Sequence, residues 1–283
     1  MIRKCIIFVV LFFGIKQICH KLNAGFRLNK IEGALAYNPH FETRSHLDNA
    51  AIDAILSQPF YFLGSGAQSF AFESADKKTV LKFMKQSKRK PMPWLEALPL
   101  PPGASHIRNY YMQKRKKRLH DLLTSARIAC DELYQETGVL YAHLNTSAAA
   151  REKITLYDKI GIRYTVDVDN SLFVLQKRGS TLLDQPLEPK TIAGMIEHVK
   201  KSCKKGIAHL DPLVDRNFGI YNGSVFTIDF GSLKYDEKLK TFPYLQRELF
   251  SELLTLRYYI KKNNPELLGY FDETMQKELA TDL

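Results

Sequence analysis

The chain has 283 residues, of which 45% are hydrophobic and 25% are charged, and its formal net charge is +11. This composition is typical of a globular protein with a substantial core, and no internal repeats or low-complexity tracts interrupt it. Four cysteines without a Cys-x-x-Cys pair argue against a zinc knuckle, a redox motif and a disulfide scaffold.

The first element is a short apolar run behind a basic flank. Arg3 and Lys4 precede residues 5–15, which are almost entirely apolar. A membrane-spanning helix needs about 20 apolar residues, so this run better fits the hydrophobic part of an export signal. We therefore predict a signal peptide or membrane anchor over residues 1–22 and a linker over residues 23–50. The expected location is membrane-anchored or exported rather than cytoplasmic, and the alternative is a buried helix or strand of a soluble protein.

A glycine-rich turn interrupts the alternation of apolar and small residues over 59–73. The alternation predicts a β-hairpin with this turn at its tip, and residues 79–84 predict a third strand that carries Lys82. Because glycine lacks a Cβ, Gly64 and Gly66 would let backbone N–H groups approach phosphate oxygens. The strand that continues after the turn argues against a dinucleotide-binding fold, and the missing Gly-Lys-Ser/Thr excludes a P-loop.

Two basic clusters, at residues 85–90 and 114–118, supply much of the excess positive charge. Between them, the proline-rich residues 91–103 predict an extended loop. Such clusters can attract acidic lipid head groups or a polyanionic substrate, although a solvated helix face or an insertion is the simpler interpretation. No nucleic-acid partner is expected, because no helix-turn-helix, zinc or aromatic RNA-binding pattern accompanies the charge.

The middle of the chain alternates helical and strand patterns. Residues 105–144 have apolar side chains at helical spacing and predict a mainly helical segment. Two strand-like runs at 163–168 and 172–176 flank a turn and predict a second β-hairpin. A further helix is predicted within residues 187–208, and the last part of the chain predicts two more, over 242–260 and 265–279.

Residues suited to phosphate chemistry are concentrated between 209 and 231. His209, Leu210 and Asp211 form a His-x-Asp triplet that precedes Asn217, and an apolar strand then ends in Asp-Phe-Gly at Asp229. In chain order, the glycine-rich hairpin, the strand lysine, His-x-Asp, the asparagine and Asp-Phe-Gly resemble the protein-kinase-like superfamily. That superfamily includes protein kinases, aminoglycoside phosphotransferases and HipA-like bacterial kinases, and Arg-Asn-Phe-Gly here resembles the HipA-type loop.

The resemblance extends over residues 58–235 and implies an architecture. It is an α+β, bilobal protein-kinase-like fold with a β-rich N-lobe over residues 51–178 and a reduced helical C-lobe over residues 179–283. The N-lobe would include the basic, proline-rich insertion. No Ala-Pro-Glu element and no long activation segment follow Asp229, which favours a compact, atypical member.

The resemblance also implies ATP and Mg²⁺ as cofactors and assigns residues to the nucleotide. Lys82 would contact the α- and β-phosphates, and the chain near Gln176 would form the hinge whose backbone binds adenine. The nucleotide-binding residues implied in this way are Gly64, Ser65, Gly66, Ser69, Ala71, Lys82, Gln176 and Lys177.

The catalytic and metal-binding assignments follow the same resemblance. Asp211 matches the aspartate that aligns the acceptor hydroxyl, and Asn217 and Asp229 match the metal ligands. A glutamate would pair with the strand lysine, and Glu132 is the candidate, with Glu136 one turn later as the substitute.

The separation between Asp211 and Asn217 is one residue longer than the usual pattern. Either a one-residue bulge at Pro212 or Val214 restores both ligands, or Asp215 supplies the base.

These assignments favour an enzyme that transfers the γ-phosphoryl group of ATP to a hydroxyl of a protein or small molecule. The longer loop and the short C-lobe leave a second interpretation open, a nucleotide-binding pseudokinase that acts as a membrane-tethered or secreted scaffold. A third is transfer of AMP by reversed nucleotide binding. The expected partners are a nucleotide, an unidentified acceptor and an anionic membrane surface.

Overall fold

The computed structural model describes residues 14, 17, 18, 20–33, 35–86, 92–146, 151–211 and 213–280. Most of the apolar run predicted as a targeting segment therefore lies outside the described residues. Within the described part of the chain, no helix is both long and apolar enough to cross a membrane.

The chain adopts an α+β fold that divides into two compact units. The first unit comprises Met1–Glu42, Leu47–Leu119 and His143–Leu175; the second comprises Thr43–His46, His120–Ala142 and Gln176–Leu283. Each unit is thus assembled from several stretches of sequence, whereas the lobes predicted from the sequence were continuous.

The largest sheet is mixed and has seven strands in the order β4-β7-β3-β2-β1-β5-β6. In chain order the strands are β1 (Phe60–Ser65), β2 (Ser69–Ser74), β3 (Thr79–Met84), β4 (Val139–His143), β5 (Ile154–Tyr157), β6 (Arg163–Val166) and β7 (Phe173–Lys177). The β1–β2 and β2–β3 pairs are antiparallel, which confirms the predicted glycine-tipped hairpin and third strand. Strand β5 runs parallel to β1 and antiparallel to β6.

The predicted hairpin over residues 163–176 is wrong, although both of its strands exist. β6 pairs with β5, and β7 lies at the other side of the sheet, next to β3 and β4. The actual hairpin joins β5 to β6 through a turn in which Asp158 accepts the backbone N–H groups of Ile160 and Ile162, at 3.0 and 2.9 Å. An aspartate side chain that bonds the backbone two residues on stabilises a turn, and it lies where no turn was assigned from the sequence.

The helices of the first unit whose bounds the structure gives include α1 (Asn49–Leu56), α2 (Pro93–Glu96) and the first part of α3 (Pro102–Asp131), with 3₁₀ turns at Leu28–Lys30 and Pro39–Phe41. The prediction of helix as far as residue 144 is wrong beyond residue 137. A short helix, α4 (Tyr134–Thr137), ends at Gly138, whose φ of 65° lies in the left-handed region that favours glycine. The backbone then continues as β4.

An aromatic cluster fills the core of the first unit. Phe26 contacts the rings of Phe70, Phe72 and Tyr164 edge-on, with centroids 5.3, 5.2 and 5.3 Å apart. Because side chains alternate along a strand, Phe70 and Phe72 both face this cluster, and Ala71 lies on the opposite face of β2.

Besides the later part of α3 and α4, the second unit contains the elements that follow β7. They are β8 (Ser180–Thr181), α5 (Pro189–Lys204), β9 (Ile207–His209), α6 (Val214–Asn217), β10 (Phe218–Tyr221), β11 (Ser224–Thr227), β12 (Leu233–Tyr235), α7 (Phe242–Asn263) and α8 (Leu268–Ala280), with 3₁₀ turns at Leu182–Asp184, Glu237–Lys240 and Pro265–Leu267. The helix predicted before the His-x-Asp triplet and the two predicted after Asp-Phe-Gly are confirmed as α5, α7 and α8. Two small sheets have the strand orders β11-β10-β8 and β12-β9.

Helices α5, α7 and α8 enclose the core of the second unit. Each presents a row of buried apolar side chains at helical spacing, as an amphipathic helix does when it packs against neighbours. The core includes Ile192, Met195 and Ile196 of α5, Leu249, Leu253 and Leu256 of α7, and Phe271 and Met275 of α8. This packing supports β9 and the loop that follows it.

Candidate active site

In the first unit, three of the predicted nucleotide-binding residues lie in one row across the sheet. Gly64 pairs with Ala71, and Ala71 pairs with Lys82. Directly opposed residues on antiparallel strands project from the same face, so the Lys82 side chain leaves the sheet on the face that carries Ala71. Gly64 adds no side chain to this row, and the face beside the lysine is open at that point.

Neither packing nor backbone conformation requires glycine at the two glycine positions of the turn, Gly64 and Gly66. A Cβ added at Gly64 or Gly66 would meet no heavy atom within 4 Å, and neither residue has a φ in the left-handed region. The N–H of Gly66 donates to the carbonyl of Ser69 at 3.0 Å, which closes the turn. Of the two N–H groups predicted to approach phosphate, that of Gly66 is therefore already bonded.

Lys85, which no sequence motif singles out, holds the tip of the hairpin. The Lys85 ammonium donates to the Ser65 hydroxyl at 2.8 Å and to the carbonyl of Gly66, and it lies 4.2 Å from the centroid of the Phe70 ring. The sequence shows Lys85 only as the first cation of a basic cluster. Because Phe70 and Ala71 are on opposite faces of β2, Lys85 and Lys82 act on different sides of the hairpin.

In the second unit, Asn217 connects the two acidic motifs. Its side-chain amide donates to the backbone carbonyl of Asp211. Its backbone carbonyl accepts the N–H of Ile228 at 2.7 Å and the N–H of Asp229 at 3.3 Å. Asn217 is buried, whereas the side chains of Asp211 and Asp229 are exposed. Asn217 therefore joins the backbone of Asp211 to the backbone at Asp229, and both aspartates are exposed.

The additional residue between Asp211 and Asn217 is accommodated by a helical turn. The N–H groups of Arg216 and Asn217 both donate to the carbonyl of Leu213, at 3.2 and 2.9 Å, and α6 begins at Val214. Pro212 and the side chain of Asp215 lie outside the described residues, so the alternative base stays a prediction.

His209 is buried and contacts the backbone of Asp229. Its ring Nε2 lies 3.0 Å from the carbonyl oxygen of Asp229, and its ring is tilted against Phe218. Burial lowers the pKa of His209, which favours the neutral ring. A neutral imidazole that bonds a backbone carbonyl positions the Asp-Phe-Gly segment.

Glu252 of α7 accepts a hydrogen bond from strand β9, and the sequence does not predict this contact. It is 2% exposed, and its Oε1 accepts the backbone N–H of His209 at 3.0 Å. Desolvation raises the pKa of Glu252 to about 8, with the nearby charge of Glu248 adding to the effect. In a helix of mixed polar and apolar residues, no local pattern distinguishes this glutamate from its exposed neighbours.

Ser125, in the second-unit part of α3, holds the Asp-Phe-Gly segment in place. Its hydroxyl donates to the carbonyl of Phe230 and accepts the N–H of Leu233 at 2.7 Å. Phe230 itself is 5% exposed. The segment is thus bonded at Asp229 by His209 and at Phe230 by Ser125.

A glycine allows two strands to approach each other next to Asn217. A Cβ at Gly219 would lie closer than 3.0 Å to the carbonyl of Ser180 and to the Ile228 side chain. Gly219 pairs with Thr181 across β10 and β8. This glycine is therefore required by packing.

The predicted hinge residues are engaged within the second unit. The N–H of Lys177 donates to the carbonyl of Gly138 at 2.9 Å, and the side-chain amide of Gln176 donates to Thr137 and Thr227 carbonyls at 2.6 and 2.9 Å. A contact with adenine at this point, which stays a prediction, would have to use other backbone atoms.

The two candidate glutamates lie beside Lys205. Glu132 follows the end of α3 with its side chain exposed, and its carbonyl accepts from the Lys205 ammonium at 2.8 Å. The Glu136 carboxylate pairs with the same ammonium at 2.9 Å. The pairing of Glu132 with Lys82 stays a prediction.

The donor atoms near Asn217 fit a hard divalent cation. The Asp229 carboxylate and the Asn217 amide oxygen would supply oxygen ligands, which Mg²⁺ prefers, and Mg²⁺ usually completes its shell with water and substrate phosphates. In the described part of the chain, no group of three or more His, Cys, Asp or Glu side chains is arranged to hold a metal ion.

No protein-family model matches the chain, and no curated protein matches it. Among solved structures, a complex of WbdD with the kinase inhibitor LY294002 is 16% identical, with a TM-score of 0.36 over 76% of this chain and 45% of that one. Another WbdD structure is 15% identical, with a TM-score of 0.34 over 78% of this chain and 50% of that one. A third, described as a bifunctional kinase-methyltransferase, is 15% identical with a TM-score of 0.33, covering 76% and 47%. The chain spans about half the length of these proteins, and similarity at this level establishes neither a shared fold nor a shared activity.

Proposed function

We propose that the protein is a kinase-type phosphotransferase of protein-kinase-like fold that uses ATP and Mg²⁺ to phosphorylate a hydroxyl acceptor. The observation that carries the proposal is the set of bonds made by Asn217, which joins the loop of Asp211 to the Asp-Phe-Gly segment of Asp229. Phosphoryl transfer depends mainly on positioning and charge neutralisation, and a carboxylate–amide pair beside an exposed aspartate suits that chemistry.

Each proposed residue has a distinct task. Asp229 and Asn217 would hold Mg²⁺, which supplies positive charge to the phosphate oxygens when bound. The Asp211 carboxylate would accept a hydrogen bond from the acceptor hydroxyl and orient it. Lys82 would contact the phosphates, and the open row beside Gly64 supports close approach of a ligand to the hairpin.

Nucleotide binding is tested with Asp229→Asn. In the wild type, ATP with Mg²⁺ should raise the melting temperature, and ATP with EDTA should not. The variant should lose this Mg²⁺-dependent shift and keep its stability without ligand, because an asparagine can accept the N–H of Gly231 that Asp229 accepts at 3.0 Å.

Asp236→Asn is the matched control, since Asp236 is also exposed and accepts the N–H of Lys238 two residues on, at 3.1 Å. This variant should retain the full shift. A wild-type protein whose melting temperature does not respond to any nucleotide with Mg²⁺ would remove the basis of the proposal.

The second candidate function is a nucleotide-binding pseudokinase that acts as a scaffold. The helical turn of α6 between Asp211 and Asn217 favours it, because the longer loop changes how the catalytic aspartate is presented. Incubation with γ-labelled ATP separates the two functions. Label transfer that is lost in Asp211→Asn supports the kinase, and Mg²⁺-dependent binding without transfer supports the scaffold. An adduct with the mass of AMP would identify nucleotidyl transfer instead.

A further inference from the structure

A cavity of about 440 Å³ lies beside the tip of the β1–β2 hairpin in the first unit. This volume falls within the range of about 300 to 1,000 Å³ that small-molecule pockets occupy. Among the lining residues that the structure describes, none is acidic. The basic members of this lining are His20, Lys30, Lys85 and Arg118. Glu32 and Asp121, the nearest carboxylates along the chain to Lys30 and Arg118, do not line the cavity.

Two of the lysine ammonium groups lie near the same aromatic ring. The Nζ atom of Lys85 is 4.2 Å from the centroid of the Phe70 ring, and the Nζ atom of Lys30 is 6.0 Å from it. The two ammonium groups can therefore be no farther apart than these two distances combined. Like charges at such a separation repel each other, since salt at 0.1 M screens charges only over about 10 Å. An anion bound beside both groups would relieve this repulsion.

Both lysines are held by polar atoms of other residues that line the cavity. Lys85 donates to the Ser65 hydroxyl at 2.8 Å and to the Gly66 carbonyl, and Lys30 donates to the carbonyl of Gly25. These bonds position the two ammonium groups before any ligand arrives. A ligand that binds here therefore does not have to order two long, mobile side chains, which is a large part of the usual cost of binding.

The turn that supplies the Gly25 carbonyl is itself closed by hydrogen bonds. The side chain of Asn23 accepts the N–H of Gly25 at 3.0 Å and donates to the carbonyl of Phe26 at 3.1 Å. Gly25 has a φ of 71°, in the left-handed region that favours glycine, and a Cβ there would lie 2.7 Å from Nε2 of His20. The glycine thus lets the turn close and lets the imidazole pack against it.

The cavity lies on the opposite face of the hairpin from Lys82. Phe70 and Ala71 are adjacent on β2 and project from opposite faces, and Lys82 pairs with Ala71. Ser65 pairs with Phe70, so its side chain is on the cavity side. Ser65 and Gly66 also belong to the predicted nucleotide-binding set. The hairpin tip is therefore common to both faces, and binding at one face has to be measured apart from binding at the other.

We propose that this cavity binds phosphate or a compact phosphate ester, without Mg²⁺ and separately from the nucleotide. The lysines supply compact positive charges, and the guanidinium of Arg118 can hold two phosphate oxygens at once. The Ser65 oxygen accepts from Lys85, and its O–H can donate to the ligand. Phe70, the one Phe, Tyr or Trp in the described lining, is 1% exposed, so a nucleobase finds little aromatic surface on which to stack.

The test is calorimetric titration of the full chain with inorganic phosphate and, separately, with glycerol phosphate. Both titrations contain EDTA, and NaCl keeps the ionic strength constant. We expect saturable binding, and the tighter of the two ligands shows whether free phosphate or a phosphate ester is the source. Heat that does not saturate, or that NaCl alone reproduces, would mean that the cations are only screened and would overturn the proposal.

Arg118→Gln should weaken binding roughly tenfold, because it removes a charge-assisted contact. Lys117→Gln is the matched control, since Lys117 is adjacent on α3, is also exposed, and is not in the described lining. It removes the same charge and should bind as the wild type does. Lys85→Gln should also weaken binding roughly tenfold, while its amide can still donate to the Ser65 hydroxyl and hold the hairpin tip.

Asp229→Asn separates this site from the proposed nucleotide site. The variant should bind phosphate as the wild type does, even though it loses the Mg²⁺-dependent response to ATP. Unchanged affinity in both Arg118→Gln and Lys85→Gln would overturn the proposal. Displacement of phosphate by ATP in EDTA would assign the cavity to the nucleotide and would also overturn it. A wild-type protein that binds phosphate but does not respond to ATP with Mg²⁺ would refute the phosphotransferase and leave this site standing.

Discussion

Replacing Glu252 by glutamine should remove a pH dependence of stability that this buried carboxyl imposes. Burial raises the pKa of Glu252 from 4.5 to about 8 in the folded protein. Between these two values the folded state holds a proton that the unfolded state releases. The free energy of unfolding therefore falls as pH rises from about 4.5 to about 8, and the group contributes no further slope outside that window.

The size of the effect follows from the separation of the two pKa values. The difference between about 8 and 4.5 corresponds to an upper limit of about 5 kcal/mol, since each pKa unit is worth about 1.4 kcal/mol. Glutamine cannot ionise, and its Oε1 can accept the N–H of His209 as the glutamate does. We expect the variant to match the wild type within about 1 kcal/mol at pH 5 and to exceed it by about 3 to 5 kcal/mol at pH 8.

Urea denaturation of both proteins at intervals from pH 5 to pH 9 measures this difference. Glu266→Gln is the control, because Glu266 is exposed and its replacement should leave the wild-type pH profile unchanged. A further variant, Glu252→Ala, leaves the buried N–H of His209 without its acceptor and should lose about 1 to 3 kcal/mol at pH 5. If the free energies of unfolding of wild type and Glu252→Gln change in parallel from pH 5 to pH 8, the carboxyl is not the buried group described here.

Two further predictions concern the supports of the Asp-Phe-Gly segment. Ser125→Ala removes a hydroxyl bonded to Phe230 and Leu233, and it should lower the free energy of unfolding by about 1 to 3 kcal/mol; an unchanged urea midpoint would contradict these bonds. Gly219→Ala should destabilise the protein by about 1 to 3 kcal/mol because its Cβ meets backbone as well as side chain, whereas Gly269→Ala, in a helix with open space, should be neutral or stabilising by up to about 1 kcal/mol. Equal melting temperatures for the two glycine variants would argue against the close packing of β8 on β10.

Local patterns in the sequence were sufficient for several elements. The period-two alternation of residues 60–74 produced the correct hairpin, and helical spacing located α5, α7 and α8. Order along the chain also predicted that Asp211, Asn217 and Asp229 belong together, and the bonds of Asn217 connect them within the second unit. In these cases the prediction depends either on the spacing of residues close together in the chain or on short motifs that can each be recognised in the sequence.

Pairing between distant segments could not be derived in the same way. β6 and β7 look like a hairpin in sequence because only a short turn separates them, yet they lie on opposite sides of the sheet. The sequence pattern predicts helix for the extended segment that begins at Val139, because the pairing of this segment with β7 depends on residues about thirty positions or more away. Strand partners are chosen by packing across the whole sheet, which no window of adjacent residues contains.

The sequence by itself determined the secondary-structure types, the apolar faces and the identity of the polar motifs, because these depend on side-chain chemistry and periodicity. Only the tertiary structure revealed that Glu252 and Ser125 bond the loop and the Asp-Phe-Gly segment, and that Lys85 holds the hairpin tip. Within the sequence of a helix, the residue type alone does not distinguish a buried glutamate from an exposed one. What distinguishes them is the backbone group that each meets after folding, and that group comes from a distant part of the chain.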